Sequence, residues 1–348
     1  MKRRAVVICP GRGTYNKTEL GYLGRHHADK AGDLAQFDAI RAAESQEPVT
    51  ALDGAARFSM AKHTVGDAAS PLIYAASYLD AQSLADDIEV VAITGNSMGW
   101  YIALATGGAL NAENGFRVVN TMGRLMQEAS IGGQLVYPCS DPNWRPDPKQ
   151  KGELINVVNR INGTDGAVLA LSIDLGGMLV FAGNEAGLKK LESAVPIIQE
   201  RFPMRLPNHG AFHTSLMEPV AIKGRAALAR NTFEQPQIPL IDGRGAIWWP
   251  GATDTSALYD YTLGHQVTEP YDFRHAIQTA AREFAPDFFI VTGPGNTLGG
   301  SVAQSLISID WQGMKDKEAF QSRQSESPVL VSMGIEEHRQ LATNSAAD

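Results

Sequence analysis

Residues 88–99 read Ile88-Glu-Val-Val-Ala-Ile-Thr-Gly-Asn-Ser-Met-Gly99, and Trp100-Tyr-Ile-Ala-Leu-Ala-Thr-Gly-Gly-Ala109 follows. The first seven residues, Ile88 to Thr94, form the mostly apolar run expected of a strand buried in a parallel sheet. Gly95-Asn96-Ser97-Met98-Gly99 then fits Gly-x-Ser-x-Gly. The run from Trp100 to Ala109 predicts a helix, loosened at its end by Gly107-Gly108. Strand, sharp turn and helix form the context in which this pentapeptide becomes a nucleophile elbow. The serine of an elbow sits in strained backbone with Oγ projecting above the sheet, and small neighbours let strand and helix approach closely. The helix N-terminus favours the negative charge that develops during acyl transfer. Without that context the pentapeptide would be an ordinary loop; with it, Ser97 is the candidate nucleophile of an α/β fold.

Working outward, Ala5-Val-Val-Ile-Cys9 is a second buried strand, ended by Pro10-Gly11. Residues 16–65 are polar and mixed, and are read as helices and loops. Pro71 to Asp80 is compatible with a helix. Ala112 to about Ala129 carries apolar residues at 116, 118, 119, 122, 125 and 126, which is helical spacing. Composition shifts over 131–151, and the three prolines between Asp141 and Pro148 predict a loop. Glu153 to Ile161 predicts a short amphipathic helix. Ala167 to Ile173 and Met178 to Ala182 predict two strands around Leu175-Gly176-Gly177. Asn184 caps a helix running from Glu185 to about Ala194. A small α+β unit, 131–204, is thus expected inside a larger α/β unit made of 1–130 and 205–348. In the latter, strands are expected over 239–242, 288–292 and 329–331. The small, polar tail from Ala342 is expected to be disordered.

The chain has 348 residues, enough for about two domains. Its formal charge is 30 − 38 = −8, which argues against nucleic acid as the main partner. Two cysteines, Cys9 and Cys139, give no disulfide framework. The apolar run behind Lys2-Arg3-Arg4 is too short for a signal peptide or membrane span, so a soluble cytoplasmic protein is expected. No Cys-x-x-Cys suggests a metal site, and no complete nucleotide fingerprint is present.

A nucleophilic serine needs a base, usually histidine. Of eight histidines, His213 stands out, in His209-Gly-Ala-Phe-His213-Thr-Ser-Leu-Met-Glu-Pro219 at a loop-to-helix junction. Taken alone, it reads equally as a capping or core histidine.

Together these blocks resemble the malonyl-CoA:acyl-carrier-protein transacylase family. The resemblance is carried by Ala5 to Thr14, by Gly95 to Leu110, by Met122 to Ala129, by Ala211 to Pro219, by Gln266-Val-Thr-Glu-Pro270 and by Thr292-Gly-Pro-Gly295, in that order over roughly residues 5–310. It implies an α/β-hydrolase-like large domain with a parallel sheet and an inserted ferredoxin-like small domain. It implies Ser97 as nucleophile, His213 as base and the Gln266 backbone carbonyl as the group that orients His213. The backbone N–H groups of Arg12 and Met98 would form the oxyanion hole, and Met122, Asn96 and Phe212 the acyl pocket. The partners implied are an acyl-CoA and an acyl carrier protein, in fatty acid or polyketide synthesis. No resident cofactor is implied, because coenzyme A enters with the substrate.

The sequence also departs from the family pattern. Asn96 and Trp100 stand where a histidine and a glutamate are usual. Met122 stands where an arginine binds the malonyl carboxylate. A methionine cannot pair with a carboxylate, which predicts an uncharged acyl group such as acetyl or a longer chain. Arg12, where glutamine is usual, is the alternative: it either supplies the missing cation from another wall, or faces solvent or a nearby carboxylate. Lys189, Lys190, Arg201 and Arg205 are candidates for a basic patch facing the carrier. Two other readings share the scaffold. A serine thioester hydrolase would resolve the acyl-enzyme with water, and a catalytically silent carrier-binding subunit would form no acyl-enzyme.

Overall fold

The computed structural model describes residues 2–344. Its strands are β1 (Arg3–Cys9), β2 (Ile88–Gly95), β3 (Gly133–Pro138), β4 (Leu169–Asp174), β5 (Met178–Gly183), β6 (Met204–Arg205), β7 (Leu240–Ile241), β8 (Ile247–Trp248), β9 (Tyr271–Asp272), β10 (Phe288–Val291) and β11 (Leu330–Ser332). They form two sheets. The larger has the order β11-β10-β1-β2-β7-β8 and is parallel except for the β7–β8 pair. β1 lies at its centre, and Ala5 to Cys9 are fully buried. Both faces are covered by helices, which is why β1 and β10 read as continuous apolar runs.

The smaller sheet has the order β6-β3-β5-β4-β9. Its first four strands, with the Pro148–Ile161 and Glu185–Ala194 helices between them, make the ferredoxin-like β-α-β-β-α-β unit. β9 joins it in parallel from beyond residue 205, so the two units share a strand-level seam. The architecture is an α/β-hydrolase-like large domain with a small ferredoxin-like one.

β3, β6, β8 and β9 were not expected from the sequence. β3 has only Leu135, Val136 and Tyr137 as an apolar run, next to the Pro138 that ends it. Its Gln134 is buried because its amide donates to Ser172 Oγ at 2.7 Å. β6 has two residues, too few for any alternation. The helix expected from Glu153 begins at Pro148, where Asp147 accepts from the N–H groups of Lys149 and Gln150. The helix expected from Pro71 begins at Gly66, with Pro71 inside it. The tail expectation needs correction at its start. Ala342 is fully buried and closes the Glu336–Ala342 helix, and Thr343 bridges to Leu84. Residues 345–348 of that expected tail lie outside the described residues. Among the described residues no helix is long and apolar enough to cross a membrane.

Candidate active site

β2 delivers Gly95 to the end of the central sheet, and the Gly99–Thr106 helix leaves at once. The turn between them is as tight as an elbow requires. A Cβ on Gly95 would collide with the backbone of Gly99, and one on Gly99 with the carbonyl of Cys9. Ser97 between them has φ 55°, the left-handed region that costs a non-glycine residue roughly 1–2 kcal/mol. Surrounding packing holds it there: Asn96 N–H donates to the Cys9 carbonyl at 3.0 Å and the Tyr271 hydroxyl to the Gly95 carbonyl at 2.6 Å.

Ser97 Oγ lies 2.7 Å from His213 Nε2. His213 Nδ1 lies 2.7 Å from the backbone carbonyl of Gln266. A carbonyl only accepts, so Nδ1 carries the proton and Nε2 is the free base that accepts from Oγ. Burial pushes His213 down to about 4, against the Gln266 carbonyl that favours its protonated form. The ring is therefore neutral and ready to take a proton near pH 7. The side chain of Gln266 adds a contact the sequence did not suggest. Its Nε2 donates to the Ser97 carbonyl at 3.0 Å, and its Oε1 accepts from the Tyr101 hydroxyl at 2.8 Å.

The backbone N–H groups of Arg12 and Met98 have no acceptor among the described residues, the state in which oxyanion donors wait for substrate. Both residues line a cavity of about 200 Å³ that also exposes Ser97, His213 and Gln266. Met122, Asn96 and Phe212 line it too, so all the sequence-predicted site residues meet at one cavity. Met122 is buried, and its Sδ lies against Gly224 of the Glu218–Ala227 helix. Trp100 is fully buried away from the cavity wall, with Nε1 donating to Thr262 Oγ1 at 3.0 Å.

Sequence reasoning missed His209 and the apolar wall of Met126, Leu175, Met178 and Leu206. His209 donates from Nδ1 to Gln134 Oε1 at 2.7 Å, and Ser172 Oγ continues the chain to the Phe212 carbonyl. Its position four residues before His213 was the one available signal. The side chain of Arg12 is part-buried and meets no carboxylate; its Nη2 donates to the backbone carbonyls of Thr64 and Asn208. The expected basic patch is largely neutralised. Lys189 pairs with Glu185, Lys190 with Asp165, and Arg205 with Glu185 and Glu192. Among the described residues no three His, Cys, Asp or Glu side chains converge as a metal site would need.

No family model matches the chain. It is 25% identical over 234 residues to the malonyl CoA-acyl carrier protein transacylase of Salmonella typhimurium, covering 66% of this chain and 70% of that one. The fold matches the acyl-carrier-protein S-malonyltransferase of Burkholderia pseudomallei with a TM-score of 0.74, at 20% identity and over 97% and 98% of the two chains. It also matches a malonyl-transacylase solved in complex with its type II polyketide acyl-carrier protein. There the TM-score is 0.71 at 18% identity, over 88% and 94% of the chains. The chain is thus similar in sequence and in fold to malonyl-CoA:acyl-carrier-protein transacylases.

Proposed function

We propose that the chain is an acyl-CoA:acyl-carrier-protein S-acyltransferase of fatty acid or polyketide synthesis, working in two half-reactions through an acyl-Ser97 intermediate. One observation carries this reading: the chain of 2.7 Å contacts from Ser97 Oγ through His213 to the Gln266 carbonyl, opening on a cavity. Ser97 Oγ attacks the thioester carbon while His213 Nε2 takes its proton. The carbonyl oxygen becomes an oxyanion, held by the N–H groups of Arg12 and Met98. Collapse of the tetrahedral adduct breaks the carbon–sulfur bond, and His213 returns the proton to the leaving coenzyme A sulfur. The phosphopantetheine thiol of the carrier then repeats these steps in reverse, giving its proton to His213 and taking the acyl group. The Gln266 carbonyl stabilises the imidazolium of each half-reaction, in place of a carboxylate. No resident cofactor is needed.

Met122 has no charge to offer, so no acyl carboxylate is held from the Ala112–Ala129 helix; that departs from malonyl binding of the family's usual kind. The test is intact-mass analysis after mixing with acyl-CoA thioesters. Acyl mass should appear on wild type and be absent from Ser97→Ala. Failure of every acyl-CoA to modify Ser97 would favour the silent carrier-binding reading.

A further inference from the structure

The backbone that carries the base is strained and is held from two directions. His213 has φ 58°, the left-handed region that a non-glycine residue keeps only when its surroundings hold it there. The peptide group between Phe212 and His213 is pinned at both ends. Its N–H donates to the Val267 carbonyl at 3.2 Å, on the segment that also supplies the Gln266 carbonyl. Its carbonyl, on Phe212, accepts from Ser172 Oγ at 2.7 Å, and Ser172 belongs to β4 of the small domain.

Two features aim Ser172 at that carbonyl. The first is a β-bulge. Leu171 stands opposite Phe181 and Ile173 opposite Val180, so Ser172 is the extra, unpaired residue of β4. A bulge turns a side chain out of the regular alternation of its strand, and bulges recur beside active sites for that reason. The next residue, Ile173, lines the cavity in front of Ser97. The second feature is the direction of the hydrogen bonds behind the serine. The Phe212 carbonyl only accepts, so Ser172 gives its single hydroxyl hydrogen there. Gln134 Nε2 then donates to Ser172 Oγ, and Gln134 Oε1 accepts from His209 Nδ1, each at 2.7 Å. Gln134 and Ser172 are both buried, which shields these bonds from competing water.

We propose that Ser172 is a positioning residue for the base. Through this hydroxyl the small domain holds the Phe212–His213 peptide in its strained form, and so keeps His213 Nε2 on Ser97 Oγ. Ser172 touches no reacting atom and acts only through that peptide, an inference that rests on the acyl-transfer reading above.

The test compares Ser172→Ala with Gln134→Met. Each removes two hydrogen bonds of the chain, but only Ser172→Ala removes the one to Phe212. Two rates are read: acylation of Ser97 by acyl-CoA, and its modification by a fluorophosphonate, which needs the same serine and base whatever the acyl group. Ser172→Ala should slow both by about tenfold, the worth of one hydrogen bond, and Gln134→Met by less than about threefold. Calorimetry on the Ser97→Ala background should show acyl-CoA binding changed by less than about twofold in Ser172→Ala, because that hydrogen bond positions the base and not the ligand. Wild-type rates in Ser172→Ala overturn the proposal. So do equal losses in the two variants, which a merely structural role predicts, or a loss that follows acyl-CoA binding. If Ser172→Ala does not fold, Ser172→Cys takes its place; its thiol is a weaker donor, and a loss of about threefold or more is expected. A wild type that takes the fluorophosphonate but no acyl group overturns the acyl-transfer reading, and the fluorophosphonate rates then decide the role of Ser172. A wild type inert to both overturns both.

Discussion

Gln266 donates from Nε2 to the backbone carbonyl of Ser97 across 3.0 Å. The same residue offers its own carbonyl to His213 Nδ1. One residue thus sets the distance between nucleophile and base from both sides. Gln266→Met keeps the backbone carbonyl and a similar volume but removes the amide. We expect acylation of Ser97 to slow by roughly tenfold, about the worth of one or two hydrogen bonds. The acid limb of the pH–rate profile should not move, because the contact that polarises His213 survives. Rapid-quench acylation rates of the two proteins check this.

The pH dependence of acylation follows from His213. Its burial lowers it from an ordinary histidine value to about 4. Nε2 accepts the Ser97 proton only while the ring is neutral. The rate should therefore hold as pH falls from 7 to about 5 and drop about tenfold per unit below about 4. Stopped-flow acylation after a brief pH jump reads this before slow unfolding intervenes. An acid limb centred near 6.5 would show that the base titrates as if in water.

The same burial has a cost in stability. His209 and His213 bind protons near pH 6.5 in the unfolded chain but only at about 3 and 4 in the folded one. Between those values the unfolded state holds more protons, so stability is full above about 6.5 and falls as pH decreases. The slope is about 1.4 kcal/mol per pH unit for each histidine. Urea unfolding at pH 5 should show a loss on the order of 4 kcal/mol relative to pH 7. His209→Gln should recover about half of that pH dependence.

A charge at position 122 would meet apolar packing. It is buried beside Val118, Val119 and Leu125, with Sδ against Gly224. Met122→Arg should destabilise the protein by about 3 kcal/mol or more, through overpacking and an unpaired buried cation near Arg12. Thermal melts of Met122→Arg and the more conservative Met122→Leu check this, with the second expected within about 1.5 kcal/mol of wild type.

Much of this site was legible in the sequence because the chemistry restricts residue choice there. An elbow demands glycines at 95 and 99 for close backbone approach, and such a pattern survives in a single chain. The Ala112–Ala129 helix was readable because its apolar spacing is regular. β3 and β6 were hidden because they are held by neighbours rather than by their own pattern. β3 pairs with β5 and β6, and its one buried polar residue is satisfied by Ser172 and His209, which are distant in sequence. Arg12 shows the same limit. Its residue type was visible, but whether it met solvent, a carboxylate or the cavity depended on Thr64 and Asn208. The Lys189–Arg205 patch looked basic only because its carboxylate partners, at 165, 185 and 192, are brought to it by folding.

The central claim is that Ser97 carries an acyl group between two thiols. The most direct measurement loads the enzyme with a radiolabelled acyl-CoA, removes excess thioester, and adds holo acyl carrier protein while intact masses are followed. The account predicts a single acyl adduct on Ser97 that persists in buffer, disappears when the carrier is added, and reappears on the carrier's phosphopantetheine; Ser97→Ala should give none. Release of the label as free acid at the same rate with and without carrier would contradict it and identify a hydrolase, and absence of any adduct would contradict it outright.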